Sequence, residues 1–124
     1  MNRSRFLWSP VVAYMALIFA LSSISHPPAL PDGVDKDAHA VLYAGLGVLL
    51  VRALAGGWRR RVTLVAAIGA VAIAAAYGVS DEYHQSFVPF RQVDALDVLA
   101  DTVGAAAAAL SLYCWDIIRR RHGL

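Results

Sequence analysis

Residues 62–80 read VTLVAAIGAVAIAAAYGVS and contain no charged side chain. A run of this length and composition matches the roughly 20 apolar residues that an α-helix needs to cross the hydrocarbon core of a bilayer. Further runs without Asp, Glu, Lys or Arg cover residues 6–31, 38–51 and 102–115. The sequence therefore predicts an all-α fold, a four-helix transmembrane bundle with helices at about 8–25, 38–55, 62–80 and 98–118.

The overall composition supports a membrane protein and excludes several other classes. Of the 124 residues, 59% are hydrophobic and only 16% are charged, and the mean hydropathy is +0.56. These values exclude a disordered tail, a coiled coil and a disulfide scaffold, and the single Cys114 cannot form an internal disulfide. A small soluble bundle would show polar faces at helical period, which residues 62–80 lack. We expect residues 1–124 to form a single transmembrane domain.

The charges are divided unevenly between the segments that flank the predicted helices. Segments 1–9, 52–61 and 116–124 together carry nine arginines and one aspartate, whereas segments 25–37 and 80–101 carry eight acidic and two basic residues. Positively charged loops remain cytoplasmic. The sequence thus predicts a multi-pass protein of the bacterial inner membrane, with both termini in the cytoplasm and the acidic segments facing outward.

The ends of the predicted spans raise separate questions. Ser9-Pro10 is typical of a helix start, because Ser caps a helix and Pro tolerates the first turn. The first span resembles a signal peptide, but Ser23-Ile24-Ser25 is a poor cleavage site, so we expect it to be retained. Arg52 is expected to extend to the lipid headgroups. Asp101 needs an internal partner, for which Arg91, Lys36 and a protonated histidine are candidates.

Three polar stripes lie at the outer ends of the predicted helices. Residues spaced three or four apart share one face of a helix, so each stripe points in a single direction, and in a small bundle the stripes are expected to converge. The stripes are Asp35, His39 and Tyr43; Tyr77, Asp81, His84 and Gln85; and Asp94, Asp97 and Asp101.

These residues are candidates for two kinds of site. In a ligand-binding site, Lys36 and Arg91 would meet an anionic group while carboxylates and amides bind polar groups. In a catalytic site, His39 or His84 would act as a general base beside Asp81 or Glu82. The predicted ligand-binding residues are Asp35, Lys36, Tyr43, Gln85, Arg91, Asp94, Asp97 and Asp101, and the predicted catalytic residues are His39, His84, Glu82 and Asp81.

Other readings of the same residues stay open. The cluster can be a buried network that only fixes helix packing, or a proton relay in a small transporter, although the inner half of the bundle shows no polar path. The sequence has no HExxH spacing, nucleophile elbow or phosphate-binding glycine loop, so we predict no metal and no cofactor. The arginine runs lie against the membrane, which favours anionic lipid over nucleic acid as a partner.

Around the two acidic segments, 25–37 and 80–101, the sequence resembles the VanZ-like family of small bacterial membrane proteins. The resemblance covers about residues 35–105 by motif and the whole chain by its pattern of spans. One departure is Phe90, where members of the family often carry Gly. The motifs are Asp35-Lys36-x-x-His39, Tyr43 and Gly45; Tyr77-Gly78-x-x-Asp81-Glu82-x-His84-Gln85; Phe87-x-Pro89-x-Arg91; and Asp94, Asp97-x-x-x-Asp101 and Gly104.

The resemblance implies an integral inner-membrane protein but no particular reaction. The namesake of the family is linked to low-level resistance to the glycopeptide teicoplanin. The outward-facing cluster of acidic, histidine and arginine residues leads us to expect binding or modification of a cell-envelope precursor, a lipid-linked compound or a glycopeptide. An intramembrane hydrolase or transferase, a structural membrane protein and an oligomeric assembly remain alternatives.

Overall fold

The chain forms four helices, and the structure, a computed structural model, describes residues 2–24, 36–90 and 93–124 together with the backbone of 34 and 35. All four helices are long and apolar enough to cross a membrane. The described residues contain no strand, which confirms the all-α class. The helices are α1 (Arg3–Ser22), α2 (Val34–Ala55), α3 (Leu64–Gln85) and α4 (Ala95–Arg121).

The first helix starts earlier than predicted. Asn2 is its N-cap, and the Asn2 side chain accepts a hydrogen bond of 2.9 Å from the Ser4 amide. Pro10 lies inside the helix, so the predicted start at Ser9-Pro10 was wrong. An Asn cap satisfies one of the free amides of the first turn. In the helix interior, Pro10 lacks an amide donor and its ring crowds the carbonyl of residue 6.

Both ends of the acidic segment 80–101 belong to helices rather than to the loop between them. α3 continues through Gln85, beyond the predicted end at 80, and α4 begins at Ala95, before the predicted start at 98. Asp81 and Glu82 therefore lie in the last turns of α3, and both are buried. We predicted shorter helices because charged residues usually lie at the membrane surface rather than within a membrane-spanning helix. Here these carboxylates have partners inside the bundle, and the helices can extend.

The second helix is central and packs against the other three, while α4 packs against α2 and α3. Small residues let the backbones of α2 and α4 approach closely, as is common between membrane helices. A Cβ built on Gly47 would lie 3.0 Å from the Ala105 carbonyl oxygen, and one built on Gly104 would overlap the Ala40 carbonyl. This contact sets the register between α2 and α4.

Polar side chains join α1 to α2 and to α3. The Tyr14 hydroxyl donates to the Leu42 carbonyl, and the Tyr77 hydroxyl donates to the Met15 carbonyl, each at 2.6 Å. These bonds connect α1 with α2 and with α3. At the arginine-rich end of the bundle, Arg52 is buried, with its guanidinium 4.8 Å from the centre of the Phe6 ring. The prediction that Arg52 extends to the headgroups was wrong, because an aromatic face supplies a cation–π contact within the fold.

Replacing Gly104 with Ala is expected to destabilise the bundle, because the added methyl group would overlap the Ala40 backbone, which cannot move aside as a flexible side chain can. Overpacking of this kind costs about 1–3 kcal/mol. Thermal unfolding in detergent micelles measures the effect. Gly69→Ala is the matched control, since its Cβ would meet only the end of the Leu54 side chain. Equal unfolding temperatures for the two variants would contradict the close backbone contact.

Candidate functional site

Lys36 joins the start of α2 to the start of α4. Its ammonium donates to Asp94 at 2.8 Å and also to Asp97. Asp94 caps α4 by accepting from the Leu96 amide, and its own amide donates to a Glu82 carboxylate oxygen of α3 at 3.1 Å. The Lys36 ammonium holds the pKa of the Asp94 carboxyl below its usual range. The ion pair therefore contributes stability above the ordinary pKa of aspartate and loses that contribution as the pH falls through the lowered value.

Deeper in the bundle, His39 of α2 contacts Asp101 of α4. The His39 Nδ1 atom lies 2.7 Å from Asp101 Oδ1, and His39 Nε2 lies 3.7 Å from a carboxylate oxygen of Asp97. A Cβ built on Gly78 of α3 would lie 3.0 Å from Asp101 Oδ2, so the absence of a side chain at Gly78 gives this carboxylate its space. A histidine was among the partners expected for Asp101, and His39 makes this contact.

The side chains of this region form a series from the rim of the bundle to its interior. The exposed fraction of the side chain falls from 45% for Asp94 to 29% for Lys36, 19% for His39 and 0% for Asp101. Among the described residues, no group hydrogen-bonds to Asp101 Oδ2. The arrangement is a series of polar side chains whose exposure falls toward a fully buried acceptor. We call the following residues the outer polar cluster, after the side of the membrane that the sequence predicts for them: Lys36, His39, Asp81, Glu82, Asp94, Asp97 and Asp101.

Asp81 extends the cluster toward α1. Its carboxylate accepts a hydrogen bond from the Ser22 hydroxyl and interacts with the buried Tyr43 hydroxyl. Asp81 and Asp101 are also close enough to interact electrostatically. Ser22 was not among the predicted site residues. Its place at the polar end of an apolar span is the one signal that pointed to it, and a lone serine there is usually solvated.

His84 lies at the same end of the bundle but contacts a different helix. Its imidazole stacks on the Phe19 ring of α1, with the ring centres 4.3 Å apart, and its Nε2 lies 3.4 Å from the Ser23 hydroxyl. The described contacts of His84 are therefore with α1, whereas those of His39 are with α4. Gln85 is buried at the end of α3. The two other predicted site residues, the side chain of Asp35 and Arg91, lie outside the described residues.

The cluster carries an excess of acid. Five carboxyl groups face the single ammonium of Lys36 and the imidazole of His39, and Lys36 is already bound by two of the carboxylates. Such a site favours ligand groups that donate hydrogen bonds or carry positive charge. No group of three or more His, Cys, Asp and Glu residues within the described part of the chain is arranged to hold a metal ion.

The loop between α3 and α4 contains a strained residue. Phe90 adopts a φ of 65°, in the left-handed region that favours glycine. A bulky residue pays a conformational cost of about 1–2 kcal/mol there. This is the position at which the sequence departs from the family pattern, so the common Gly is the residue that the backbone itself favours.

Removing one member of the His39–Asp101 pair is expected to be costly. His39→Leu leaves a buried carboxyl group without its partner and should lower the free energy of unfolding by about 3–5 kcal/mol. The double variant His39→Leu/Asp101→Leu should regain most of that loss, because no buried charge remains. Denaturant unfolding in mixed micelles measures both values. Additive losses in the double variant would show that the two side chains do not interact.

Comparison with known proteins agrees with the motifs and the span pattern. No curated protein and no solved structure is significantly similar to the chain. A family model described as VanZ/LLP1 matches residues 3–118, which include all four helices except the last three residues of α4. The match covers nearly the whole chain and the entire outer polar cluster. The protein therefore belongs to the VanZ/LLP1 family and is a multi-pass membrane protein.

Proposed function

We propose that this protein binds the polar headgroup of a lipid-linked cell-envelope compound, or a glycopeptide, at the outer surface of the bacterial inner membrane. The observation that carries the proposal is the graded series of polar side chains from the partly exposed Asp94 to the fully buried Asp101. A fully buried carboxylate oxygen is costly in a membrane protein. A partly exposed series of polar groups leading to such an oxygen is typical of a site that takes up a polar ligand.

The charge of the outer polar cluster favours a particular ligand chemistry. Because Lys36 is bound by Asp94 and Asp97, the acidic groups exceed the basic ones. Hydroxyl and amino groups are the ligand groups that such a surface binds, as sugars and amino acids of envelope precursors provide. The exposed aromatic rings of Tyr83 and Phe87, which pack edge to face, lie beside the cluster and would contact an acyl or prenyl chain.

A second candidate function is an intramembrane hydrolase or transferase acting on the same class of ligand. The specific observation in its favour is the hydrogen bond between His39 and Asp101, because a buried carboxylate that orients an imidazole is a common feature of general bases. In this reading His39 is the base, and the carboxylates at its Nε2 side contact the substrate. The binding function requires no turnover, so the two candidates differ in one measurable property.

Ligand binding is tested with protein purified into nanodiscs together with its native lipids. Mass spectrometry of the retained lipids should find a lipid-linked envelope compound enriched over the bulk membrane. Asp97→Asn should reduce its retention about tenfold or more, the usual cost of a lost charged hydrogen bond. Asp37→Asn is the matched control. Asp37 is exposed and is the neighbour of Lys36 in the chain, and this substitution removes the same charge.

The outcome separates the candidate functions. Identical lipid complements in the wild type and Asp97→Asn would contradict ligand binding by the cluster. Conversion of the retained compound by the wild type but not by His39→Gln would favour the enzyme. Added teicoplanin that binds the wild type and Asp37→Asn, but binds Asp97→Asn more weakly, would identify a glycopeptide ligand. Loss of Asp97→Asn from the membrane would instead favour the structural network.

We also propose that both termini and the turn between α2 and α3 are cytoplasmic, which follows from the arginine-rich segments at that end. Single cysteines in a Cys114→Ser background test this orientation. Ser86→Cys, at the end of α3, should react with a membrane-impermeant maleimide in intact spheroplasts. Arg59→Cys, in the exposed turn, should react only after the membrane is opened. The reverse pattern would contradict the orientation and place the outer polar cluster in the cytoplasm.

A further inference from the structure

A cavity of about 390 Å³ opens at the arginine-rich end of the bundle, between the start of α3 and the end of α4. It lies at the opposite end from the outer polar cluster and plays no part in the proposed function. Three of its lining residues are arginines and one, Asp116, is acidic, so basic groups predominate among its charged residues. The polar and aromatic residues that line it are Arg61, Thr63, Tyr113, Asp116, Arg120 and Arg121.

Asp116 organises this cavity rather than neutralising it. The carboxylate is buried and accepts hydrogen bonds from Arg119 at 2.7 Å, from Arg120 at 2.9 Å and from the Val62 amide at 3.3 Å. These bonds hold the segment before α3 against the last turn of α4. Arg61 and Arg121 are exposed at the cavity, and neither is among these three hydrogen-bond donors to Asp116. The cavity therefore keeps an excess of positive charge.

An apolar groove of about 280 Å³ lies between the same two helices, nearer the middle of the bundle. Its rims are partly exposed on the lipid-facing surface, as Ile68 and Leu110 show. All of its lining residues are apolar, so the groove offers no partner to a polar group. The lining side chains are Ala67, Ile68 and Val71 with Ala72 on α3, and Ala106, Ala109 and Leu110 on α4.

The groove continues the cavity along a single face of each helix. On α3, Leu64 lines the cavity, and Ile68 and Val71 follow it at spacings of four and seven residues. On α4, Ile117 and Tyr113 line the cavity, and Leu110 and Ala106 follow. Residues at these spacings share a helix face. The cavity and the groove therefore follow one another over about 12 Å of α3, from Leu64 to Ala72.

We infer that this cavity and groove form a binding site for one anionic glycerophospholipid, with its phosphate among the arginines and one acyl chain between α3 and α4. Guanidinium groups bind phosphate oxygens in pairs of parallel hydrogen bonds. The first amides of α3, at the edge of the cavity, add favourable partial charge for an anion. The two parts of the site match the two parts of the lipid, and neither part alone would specify it.

The test measures lipid binding to the purified full-length protein in a neutral detergent, by native mass spectrometry and by thermal shift. The probes are dioleoyl-phosphatidylglycerol, dioleoyl-phosphatidylcholine and inorganic phosphate. One phosphatidylglycerol molecule should bind per chain, and phosphatidylcholine with the same acyl chains should bind more weakly. Arg61→Gln/Arg121→Gln should weaken phosphatidylglycerol binding about thirtyfold, since each arginine near a lipid headgroup contributes to binding.

Two controls separate the site from general surface charge and from general packing. Arg5→Gln/Arg59→Gln removes the same charge from exposed positions outside the cavity and should leave the affinity unchanged. Ala72→Leu fills the apolar groove and should weaken the binding of both lipids. Ala107→Leu, at an exposed position outside the groove, should leave the binding of both lipids unchanged.

Four results would overturn the inference. Equal binding of the two lipids would remove the role of the anionic headgroup, and equal losses in the two double arginine variants would indicate adsorption to surface charge. Stabilisation by phosphate alone, unaffected by Ala72→Leu, would indicate a site for a free anion. A dimer that Ala72→Leu dissociates would show that a second copy of the chain fills the groove. None of these results bears on the outer polar cluster, so they leave the proposed function untouched.

Discussion

The structure depends on burying ionisable groups inside an apolar bundle without leaving them unpaired. Asp101 is completely buried in α4, and its partner His39 is on α2. The two side chains can meet only if these helices run almost backbone to backbone. Gly104 allows this approach, because any side chain there would overlap the Ala40 carbonyl. Packing by small residues and pairing of buried charge are therefore two aspects of one requirement.

The fourth helix carries the polar chemistry at both ends of the protein. Near its start, Asp97 and Asp101 bind Lys36 and His39, and near its end Asp116 binds the segment that leads into α3. Each end thus uses a buried carboxylate to fasten α4 to a neighbouring helix. The surroundings differ in sign, because acidic groups dominate at one end and arginines at the other. This polarity gives the two ends of the bundle distinct chemistry.

Much of the fold could be predicted from local pattern, and the errors have definite physical causes. The four charge-free runs became four helices, and the need of Asp101 for an internal partner was met by a histidine. The start of α1 was misplaced because Ser9-Pro10 is a good cap in isolation, whereas Asn2 caps the helix that actually forms. Arg52 was expected at the surface. Its aromatic partner Phe6 lies on another helix, so the local sequence around Arg52 does not reveal the contact.

The candidate site shows the same division between local and long-range information. Spacing identified the polar face of each helix, but spacing does not say which helix that face meets. His84 and Asp81 lie in the same last turns of α3 and share contacts with α1, through Ser23 and Ser22. His39, which was grouped with His84 by residue type, meets α4 instead. A pattern within one helix contains no information about the rotation of its neighbours.

The amino-acid sequence by itself determined the number of helices, their transmembrane character, the family and the separation of acidic from basic ends, because each of these follows from local composition and order. Only the tertiary structure decided that His39 pairs with Asp101, that Ser22 binds Asp81, and that α3 and α4 enclose a basic cavity above an apolar groove. The physical reason is that such contacts join residues far apart in the chain. Their partners are chosen by how closely and at what rotation the helices pack.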